Sequence, residues 1–422
     1  MKPEIRTHRD IIAGKMQGEL SAPPSKSISH RLLIIAALSG KKCRIDNVLR
    51  SEDLQITLQA LSKMGFIIED MGTTIIFSGE RQLPAQPVQI DFGNSGTSAR
   101  LLTAVAACLP GDYILTGSPR MQQRPMKSLL DALSSAGVKL ESNHGFLPVT
   151  LQGGKLRGGE VTIDTGHSSQ FLSALMLVAP FTEKGFHITA SGELASAGYV
   201  ELTAALQRKY GIELRWQDQT VSIRGSQKYQ IERAVVEGDY SNISYFVIGA
   251  AISGGEVQIG GLEKNSAQGD RVILQLAEKA GASIRWLKDR VTIKGQTVRG
   301  IDENMNSCPD LVPSMAVLAL FADTPSRFRQ VGHLRYKESD RLAAIIENIR
   351  RLQGKAYLEQ DDLLILPSVL AGASLPTYND HRIAMSFAMA GLRIPGIRIE
   401  DPECVQKSFP EFWQYFDRLV SN

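Results

Sequence analysis

The chain has 422 residues, more than one hydrophobic core usually serves, so two domains of comparable size are expected. Hydrophobic residues at 43% and charged residues at 22% are ordinary for a soluble globular enzyme and exclude a disordered or fibrous chain. A formal charge of +3 is too small for a protein that wraps a nucleic-acid backbone, so any anion site has to be local.

From Met1 to Asp10 acidic and basic residues stand where a secretory signal needs an apolar core, so no targeting segment is read. Apolar runs such as Leu32 to Leu38 are far shorter than a bilayer requires. Along the chain a small polar or acidic cluster then opens, six times, a stretch that is apolar nearly all round: SISHRLLIIAAL, SGTSARLLTAVAAC, SSQFLSALMLVA, SNISYFVIGAAI, PDLVPSMAVLALFA and DHRIAMSFAMAGL. Their first residues are Ser27, Ser95, Ser168, Ser241, Pro309 and Asp380, spaced by 68, 73, 73, 68 and 71. A helix without a polar face belongs in an interior, and Ser or Asp at its start accepts hydrogen bonds from the open N–H groups of the first turn. Six core helices are therefore predicted.

A second series interleaves with the first, in which an amphipathic stretch ends at Gly65, Gly137, Gly211, Gly281 or Gly354, with steps of 72, 74, 70 and 73. In its second copy Met126, Leu129, Leu130 and Leu133 keep the spacing of a helix buried on one side, and Gly137 sits where a C-cap belongs. Extended runs at Thr73 to Phe77, Val161 to Asp164, Thr220 to Ile223 and Arg290 to Ile293 fall between the helices. Each repeat is thus one β/α block, and six blocks in two domains give three per domain. No Pro/Gly-rich linker marks the passage, so the division rests on repeat count: residues 1–20 with 233–422, and residues 21–232. Cys43, Cys108, Cys308 and Cys404 lie far apart with no CxxC pair, so neither a zinc cage nor a disulfide framework is indicated and a reducing compartment fits.

If the core helices of each domain run parallel, two facing domains aim six positive helix ends at one cleft, and such ends bind anions. Lys26, Ser27 and Arg31 open the first helix, Asn94, Ser95, Gly96, Thr97 and Arg100 the second, Ser168, Ser169 and Gln170 the third. Taken singly, such triplets are ordinary N-cap chemistry. In HLRYKESDR, Lys337 and Arg341 stand i, i+4 on an expected helix, a like-charge pair that an anion between them would relieve, although Glu338 and Asp340 could neutralise it as a solvated charge run. Asp310 and Asp380 stand at the fifth and sixth helix starts, where carboxylates either cap or do acid/base work. Capping does not explain why Arg31, Arg100, Arg124, Arg341, Arg382 and Lys407 collect near successive helix starts, whereas phosphate- and carboxylate-bearing substrates do. His30 and His381 are read as structural. HExxH, GxSxG, GxxxxGK[ST] and GxGxxG are absent, which leaves metal, serine-hydrolase, P-loop and dinucleotide readings without support.

Seven ordered pieces, SKSISHR, GNSGTSAR, LTGSPRMQQRPM, SSQF, KESDR, TYNDHRIAM and KSFPEFW, make the chain resemble, end to end, the 5-enolpyruvylshikimate-3-phosphate synthases. The resemblance implies a two-domain inside-out α/β barrel, each domain holding three β/α repeats around buried parallel helices, with the active site in the cleft between the domains. It implies that Lys26, Ser27, Arg31, Ser168, Ser169, Gln170, Ser196, Tyr199, Asp310 and Lys337 contact shikimate 3-phosphate. Phosphoenolpyruvate would meet Lys26, Gly96, Arg124, Gln170, Arg341, Arg382 and Lys407, with Asp310, Glu338 and Lys26 as the catalytic groups. No cofactor and no metal is implied; the partners are two small molecules, with no nucleic acid or membrane, for a cytoplasmic monomer. Pro24, Leu101, Ala197 with Gly198, and His333 depart from the usual pattern, the last where asparagine is common. Gly96 implies sensitivity to glyphosate. Two rival classes fit less well. Enolpyruvyl transferases acting on UDP-N-acetylglucosamine usually carry a reactive cysteine in the loop that here reads GSPRMQQRP, and a binder of RNA ends would have no use for Asp310 and Glu338 beside its arginines.

Overall fold

The computed structural model describes residues 7–421, so residues 1–6 of the segment read as free of a targeting signal lie outside it. The chain divides into two compact units: the described residues up to Ser25 together with those from Glu237 onward, and Lys26–Val236. Each has its own hydrophobic core. One is built from residues between Ile28 and Val236, the other from Ile11, Met16, Leu20 and residues between Tyr240 and Leu419.

Buried and outer helices alternate along the chain. In order they are α1 (Lys26–Leu38), α2 (Glu52–Lys63), α3 (Gly96–Cys108), α4 (Lys127–Ser135), α5 (Gln170–Val178), α6 (Ala197–Lys209), α7 (Tyr240–Ser253), α8 (Ile273–Lys279), α9 (Val312–Ala319), α10 (Arg341–Arg351), α11 (His381–Ala390) and α12 (Phe412–Leu419). The odd-numbered helices are the six apolar stretches of the sequence. Every residue of α1 but Ser27 is buried, and every residue of α7 but Ser253, because neither sequence offers water a polar stripe. The even-numbered helices are one-sided. In α10, Leu342, Ile345, Ile346 and Ile349 are buried at i, i+3, i+4, i+7 while Ala343, Arg350 and Arg351 face water.

Three sheets share a single plan. The strand Val88–Asp91 runs parallel to Gly111–Thr116 across α3, and Phe146–Gly153 and Lys139–Asn143 follow antiparallel. Gly159–Asp164, Phe186–Ser191, Thr220–Ile223 and Leu214–Gln217 repeat this around α5. Asp302–Asn304, Ser326–Arg329, Asp362–Leu366 and Lys355–Glu359 repeat it around α9. Two further sheets exchange their first strand: Gly18–Ser21 precedes α1 but pairs with Glu256–Gly260, and Arg233–Val235 precedes α7 but pairs with Cys43–Asp46. The chain therefore passes between units inside a repeat, between first strand and core helix, and needs no linker of distinct composition. The sixth repeat is shortened, with Ser374–Leu375 and Arg398–Glu400 parallel and His8–Asp10 added antiparallel.

The odd-numbered helices lie in the interior of their units, and among the described residues the sheets remain separate and no closed barrel forms. The four extended runs anticipated from sequence fall within Thr74–Arg81, Gly159–Asp164, Thr220–Ile223 and Arg290–Lys294, apart from Thr73. Gly65, Gly137, Gly211 and Gly281 take the left-handed conformation after their helices, as a C-cap glycine does. The fifth member differs: Gln353 takes that conformation (φ 64°) one residue before Gly354. Gly354 answers instead to packing, since a Cβ there would lie 2.8 Å from Ile349 Cγ2.

Candidate active site

In the unit Lys26–Val236 the first turns of α1, α3 and α5 are tied together by polar side chains, so the three core helices begin at one end. Lys26 Nζ donates to Asp53 Oδ2 of α2 at 3.1 Å, and Ser98 Oγ of α3 donates to the Asp53 carbonyl at 3.2 Å. Arg100 spans α3 and α5, donating to Ser168 Oγ at 3.1 Å and Gln170 Oε1 at 2.9 Å, while Gln170 Nε2 donates to Thr97 Oγ1 at 2.9 Å. Its guanidinium also lies over the Phe171 ring, which makes Arg100 a brace between helices.

Arg31 is buried one turn into α1. It donates to Thr203 Oγ1 (2.7 Å), the Tyr199 carbonyl (3.0 Å), the Ser27 carbonyl (3.0 Å) and Ser173 Oγ (3.4 Å), all uncharged oxygens. Among the described residues no carboxylate pairs with it, and burial draws its pKa down to about 10. At the starts of α5 and α6, Ser169 Oγ and Ser196 Oγ are buried without a hydrogen-bond partner among the described residues. Ser196 caps α6 in the left-handed region (φ 61°, ψ 40°), a conformation a non-glycine residue holds only where its surroundings enforce it. At the start of α3, Ser95 Oγ accepts from Ser98 N, and Gly96 leaves room for the buried Arg124, whose Nη2 would lie 2.5 Å from a Cβ at that position. Arg124 Nη1 also donates to the Asn94 carbonyl.

The other unit gathers the starts of α7, α9, α10 and α11 around two guanidinium groups. Arg341, 1% exposed, donates through Nη1 to Asp310 Oδ1 (2.8 Å), through Nη2 to Glu338 Oε2 (2.7 Å) and through Nε to Asp380 Oδ2 (2.8 Å). Arg382 donates through Nη2 to Asp310 Oδ2 (2.7 Å) and through Nη1 to Ser241 Oγ (2.5 Å) and Tyr245 Oη (3.2 Å). Asp380 caps α11, its Oδ1 accepting from Arg382 N at 3.0 Å. Just inside, Ser244, Ser314 and Ser386 of α7, α9 and α11 form a hydroxyl ladder at 2.9 and 3.4 Å, so these three helices touch directly.

Charge pairing sets the protonation here. Burial works against an ionised Asp310, but Arg382 and Arg341 outweigh it and hold the carboxyl well below the usual carboxylate range. Burial likewise opposes the charge on Arg341, yet Asp380, Glu338 and Asp310 hold it protonated far above its ordinary value. The Asp310 side chain keeps 20% exposure, enough for a reacting group to touch it. His333 is buried, with Nε2 lacking a partner among the described residues; burial first and Lys337 second push its pKa down to about 3, so the ring is neutral.

One local expectation is corrected. Lys337 and Arg341 do not share a helix: Gly332–Tyr336 is a 3₁₀ turn, Lys337 is extended, and α10 begins only at Arg341. Asp340 is the reason, because its Oδ1 caps Ala343 N and starts the helix there. Asp310 lies in the 3₁₀ turn Pro309–Leu311 leading into α9, and Lys407 ends the turn Pro402–Lys407. His30 bonds to Thr57 Oγ1 at 2.8 Å, in keeping with a structural reading. Sequence reasoning passed over Asp53 and Tyr245. An acidic residue in the first turn of an outer helix reads as ordinary dipole complement, and a Tyr inside an apolar stretch reads as core.

The structure thus places Lys26, Ser27, Arg31, Gly96, Ser168, Ser169, Gln170, Ser196 and Tyr199 in or beside the first turns of helices of one unit, with Arg124 after a 3₁₀ turn, and Asp310, Lys337, Glu338, Arg341 and Arg382 beside helix starts of the other, with Lys407 at the end of a 3₁₀ turn. Cationic helix starts on β/α repeats, with ionised carboxylates among them, define an enzyme for small anionic substrates. Residues 12–416 match the family model of EPSP synthase (3-phosphoshikimate 1-carboxyvinyltransferase). The 3-phosphoshikimate 1-carboxyvinyltransferase of Colwellia psychrerythraea is 38% identical, covering 96% of this chain and 97% of its own. That of Methanoregula boonei is 39% identical, covering 95% and 96%. The solved EPSP synthase of Acinetobacter baumannii superposes with a TM-score of 0.81 at 27% identity, covering 97% and 98%. The chain belongs to the EPSP synthase family and is an enzyme of enolpyruvyl transfer.

Proposed function

We propose that the two sets of helix starts act on one pair of substrates, phosphoenolpyruvate and shikimate 3-phosphate. On this reading Lys26, Ser27, Arg31, Ser168, Ser169, Gln170, Ser196, Tyr199 and Lys337 hold shikimate 3-phosphate. The orphaned hydroxyls of Ser169 and Ser196 and the uncompensated charge of Arg31 support a dianionic phosphate as what completes that set. Lys26, Gly96, Arg124, Gln170, Arg341, Arg382 and Lys407 hold phosphoenolpyruvate.

The observation that carries the mechanism is the Asp310 carboxylate, pinned by Arg341 and Arg382 and still accessible. Held ionised, it is suited to accept the proton of the 5-hydroxyl as that oxygen bonds to the central carbon of phosphoenolpyruvate. Lys26 supplies the acid that protonates the methylene carbon. The tetrahedral adduct then gives a methyl proton to Glu338, ionised beside Arg341, as it expels phosphate, restoring the enol ether on the new oxygen. Fixed guanidinium groups stabilise the charge on the departing phosphate, and no covalent enzyme intermediate is needed.

The rival that transfers to UDP-N-acetylglucosamine through a cysteine finds no support in the thiols. Burial pushes Cys43 and Cys308 up to about 12 and Cys108 to about 11, and raises Cys404 further, so none is poised as a thiolate. The same reading makes the protein a cytoplasmic monomer; no described helix is long and apolar enough to cross a membrane. Phosphate release from phosphoenolpyruvate, with shikimate 3-phosphate or UDP-N-acetylglucosamine offered separately, tests the assignment. Turnover with the first alone is expected, and turnover with the second alone would overturn it.

A further inference from the structure

The two segments that lead into α1 and α7 are fastened together on one buried side chain. Gln268, in the loop before α8, is 7% exposed. Its Oε1 accepts from Ser25 Oγ (3.1 Å) and from Tyr240 N (3.2 Å), and its Nε2 donates to the Gly238 carbonyl (2.8 Å) and to Glu237 Oε1 (2.8 Å). Ser266 Oγ donates to the same Glu237 Oε1 and accepts from Gln268 N at 3.0 Å, which steadies the loop that carries the glutamine. Backbone bonds join the same two segments: Ser25 N to the Glu237 carbonyl and Asp239 N to the Pro23 carbonyl, each at 2.8 Å, with a bridge between Pro24 and Gly238. The Gln268 amide thus bonds to both segments, and its Nε2 also donates to Ser266 Oγ at 3.2 Å.

Each segment runs directly into a residue of the site. Ser25 is covalently joined to Lys26, the first residue of α1, and Gly238 leads to Asp239, the cap of α7, whose Ser241 receives Arg382 at 2.5 Å. We propose that Gln268 is a positioning residue for the transfer reaction: by holding both lead-in segments it sets the places of Lys26 and Arg382 for phosphoenolpyruvate. This role rests on the proposed contact of those two residues with that substrate. Gln268 touches no substrate and acts only through Ser25 and the Glu237–Asp239 segment. Displacement of an anion-binding group by a fraction of an ångström weakens substrate capture, and displacement of Lys26 also slows proton transfer, so KM rises and kcat falls.

The test is steady-state kinetics on Gln268→Ala, Ser25→Ala and the double variant, with thermal unfolding alongside. Gln268→Ala is expected to raise KM for phosphoenolpyruvate about tenfold or more, with a fall in kcat beside it because Lys26 is also the proposed acid. Ser25→Ala, which removes one hydroxyl, is expected to raise it by about threefold and to add less than about twofold to Gln268→Ala, because both cut the same link. A purely structural glutamine would lower the unfolding midpoint and the active fraction while KM stayed put, and that result overturns the proposal. Multiplying effects in the double variant also overturn it. If Gln268→Ala fails to fold, Ser25→Ala decides alone, and a KM within twofold of the parent refutes the link. Lys26→Ala and Arg382→Lys separate the two layers of argument. If they raise KM for phosphoenolpyruvate while Gln268→Ala does not, only the positioning role falls; if they leave it unchanged, the site assignment falls and the positioning role with it.

Discussion

The buried arginines of the two units stand in opposite electrostatic states. In Lys26–Val236 the buried Arg31 is surrounded by neutral oxygens, and two serine hydroxyls close by have no partner among the described residues. In the other unit Arg341 meets three carboxylates and Arg382 shares Asp310 with it. A buried charge without countercharge is costly, which is visible in the downward shift of Arg31, and the phosphate proposed for it would remove that cost. A buried charge already paired holds its carboxylate partners in ionised form. On the proposed reading the first region awaits a phosphate, and the second holds reactive groups in a set protonation state.

The largest expected effect breaks the second region at its reacting group. Asp310→Asn keeps the shape and one accepting oxygen but removes the proton acceptor, so kcat is expected to fall by about 10³-fold, within the range for general acid–base groups. Glu338→Gln is expected to fall by a similar factor, with circular dichroism and cooperative melting retained in both. Near-normal turnover in either variant would take that residue out of the mechanism.

A matched pair of arginine variants probes the contrast itself. Arg341→Leu leaves Asp310, Glu338 and Asp380 without their common cation, and breaking such a buried network is expected to cost about 3–5 kcal/mol in chemical denaturation. Arg31→Leu strands no carboxylate and is expected to cost roughly 1–2 kcal/mol, the scale of lost hydrogen bonds, while weakening shikimate 3-phosphate binding at least tenfold by calorimetry. Equal stability losses would erase the distinction between the regions.

A smaller perturbation acts at the start of α3. Gly96→Ala puts a methyl group 2.5 Å from Arg124 Nη2, and since that is the far end of a flexible side chain the guanidinium shifts rather than the helix. KM for phosphoenolpyruvate is expected to rise about tenfold, with KM for shikimate 3-phosphate changed less than about twofold. The parent enzyme is expected to be inhibited by glyphosate below millimolar concentration and the variant to need more. A parent inhibition curve flat to millimolar would remove Gly96 from that role.

What could be read from the sequence was what local pattern encodes. The odd-numbered helices announced themselves because an all-round apolar run has one physical home, and four of five turn glycines because the left-handed position admits few other residues. The helix expected across Lys337 and Arg341 failed although its stop signal was in view: Asp340 followed by an apolar run is a cap. Pairings over long separations were out of reach. Nothing local connects Lys26 to Asp53 or Ser25 to Gln268, and Asp310 meets Arg382 only because equivalent ends of successive repeats, 72 residues apart, come together. The repeat explains why the site forms; the identity of each partner is a tertiary fact.

The mildest test sits inside the paired region and concerns a group that carries no charge. His333 has its pKa lowered to about 3 by burial and, secondarily, by Lys337, with Arg341 acting in the same sense and Asp310 and the Gln330 backbone opposing. In the unfolded chain the ring titrates near 6.5, so between pH 6.5 and 3 the unfolded state binds more protons and stability falls as the pH drops through that window. Above about pH 6.5 the penalty is absent. His333→Asn removes the titration altogether, and the parent is therefore expected to lose more stability than the variant between pH 7 and pH 5, by about 1–2 kcal/mol. Parallel pH–stability curves would mean that the ring is hydrated or paired in solution, and the paired region would then be less closed to water than the burial of His333 implies.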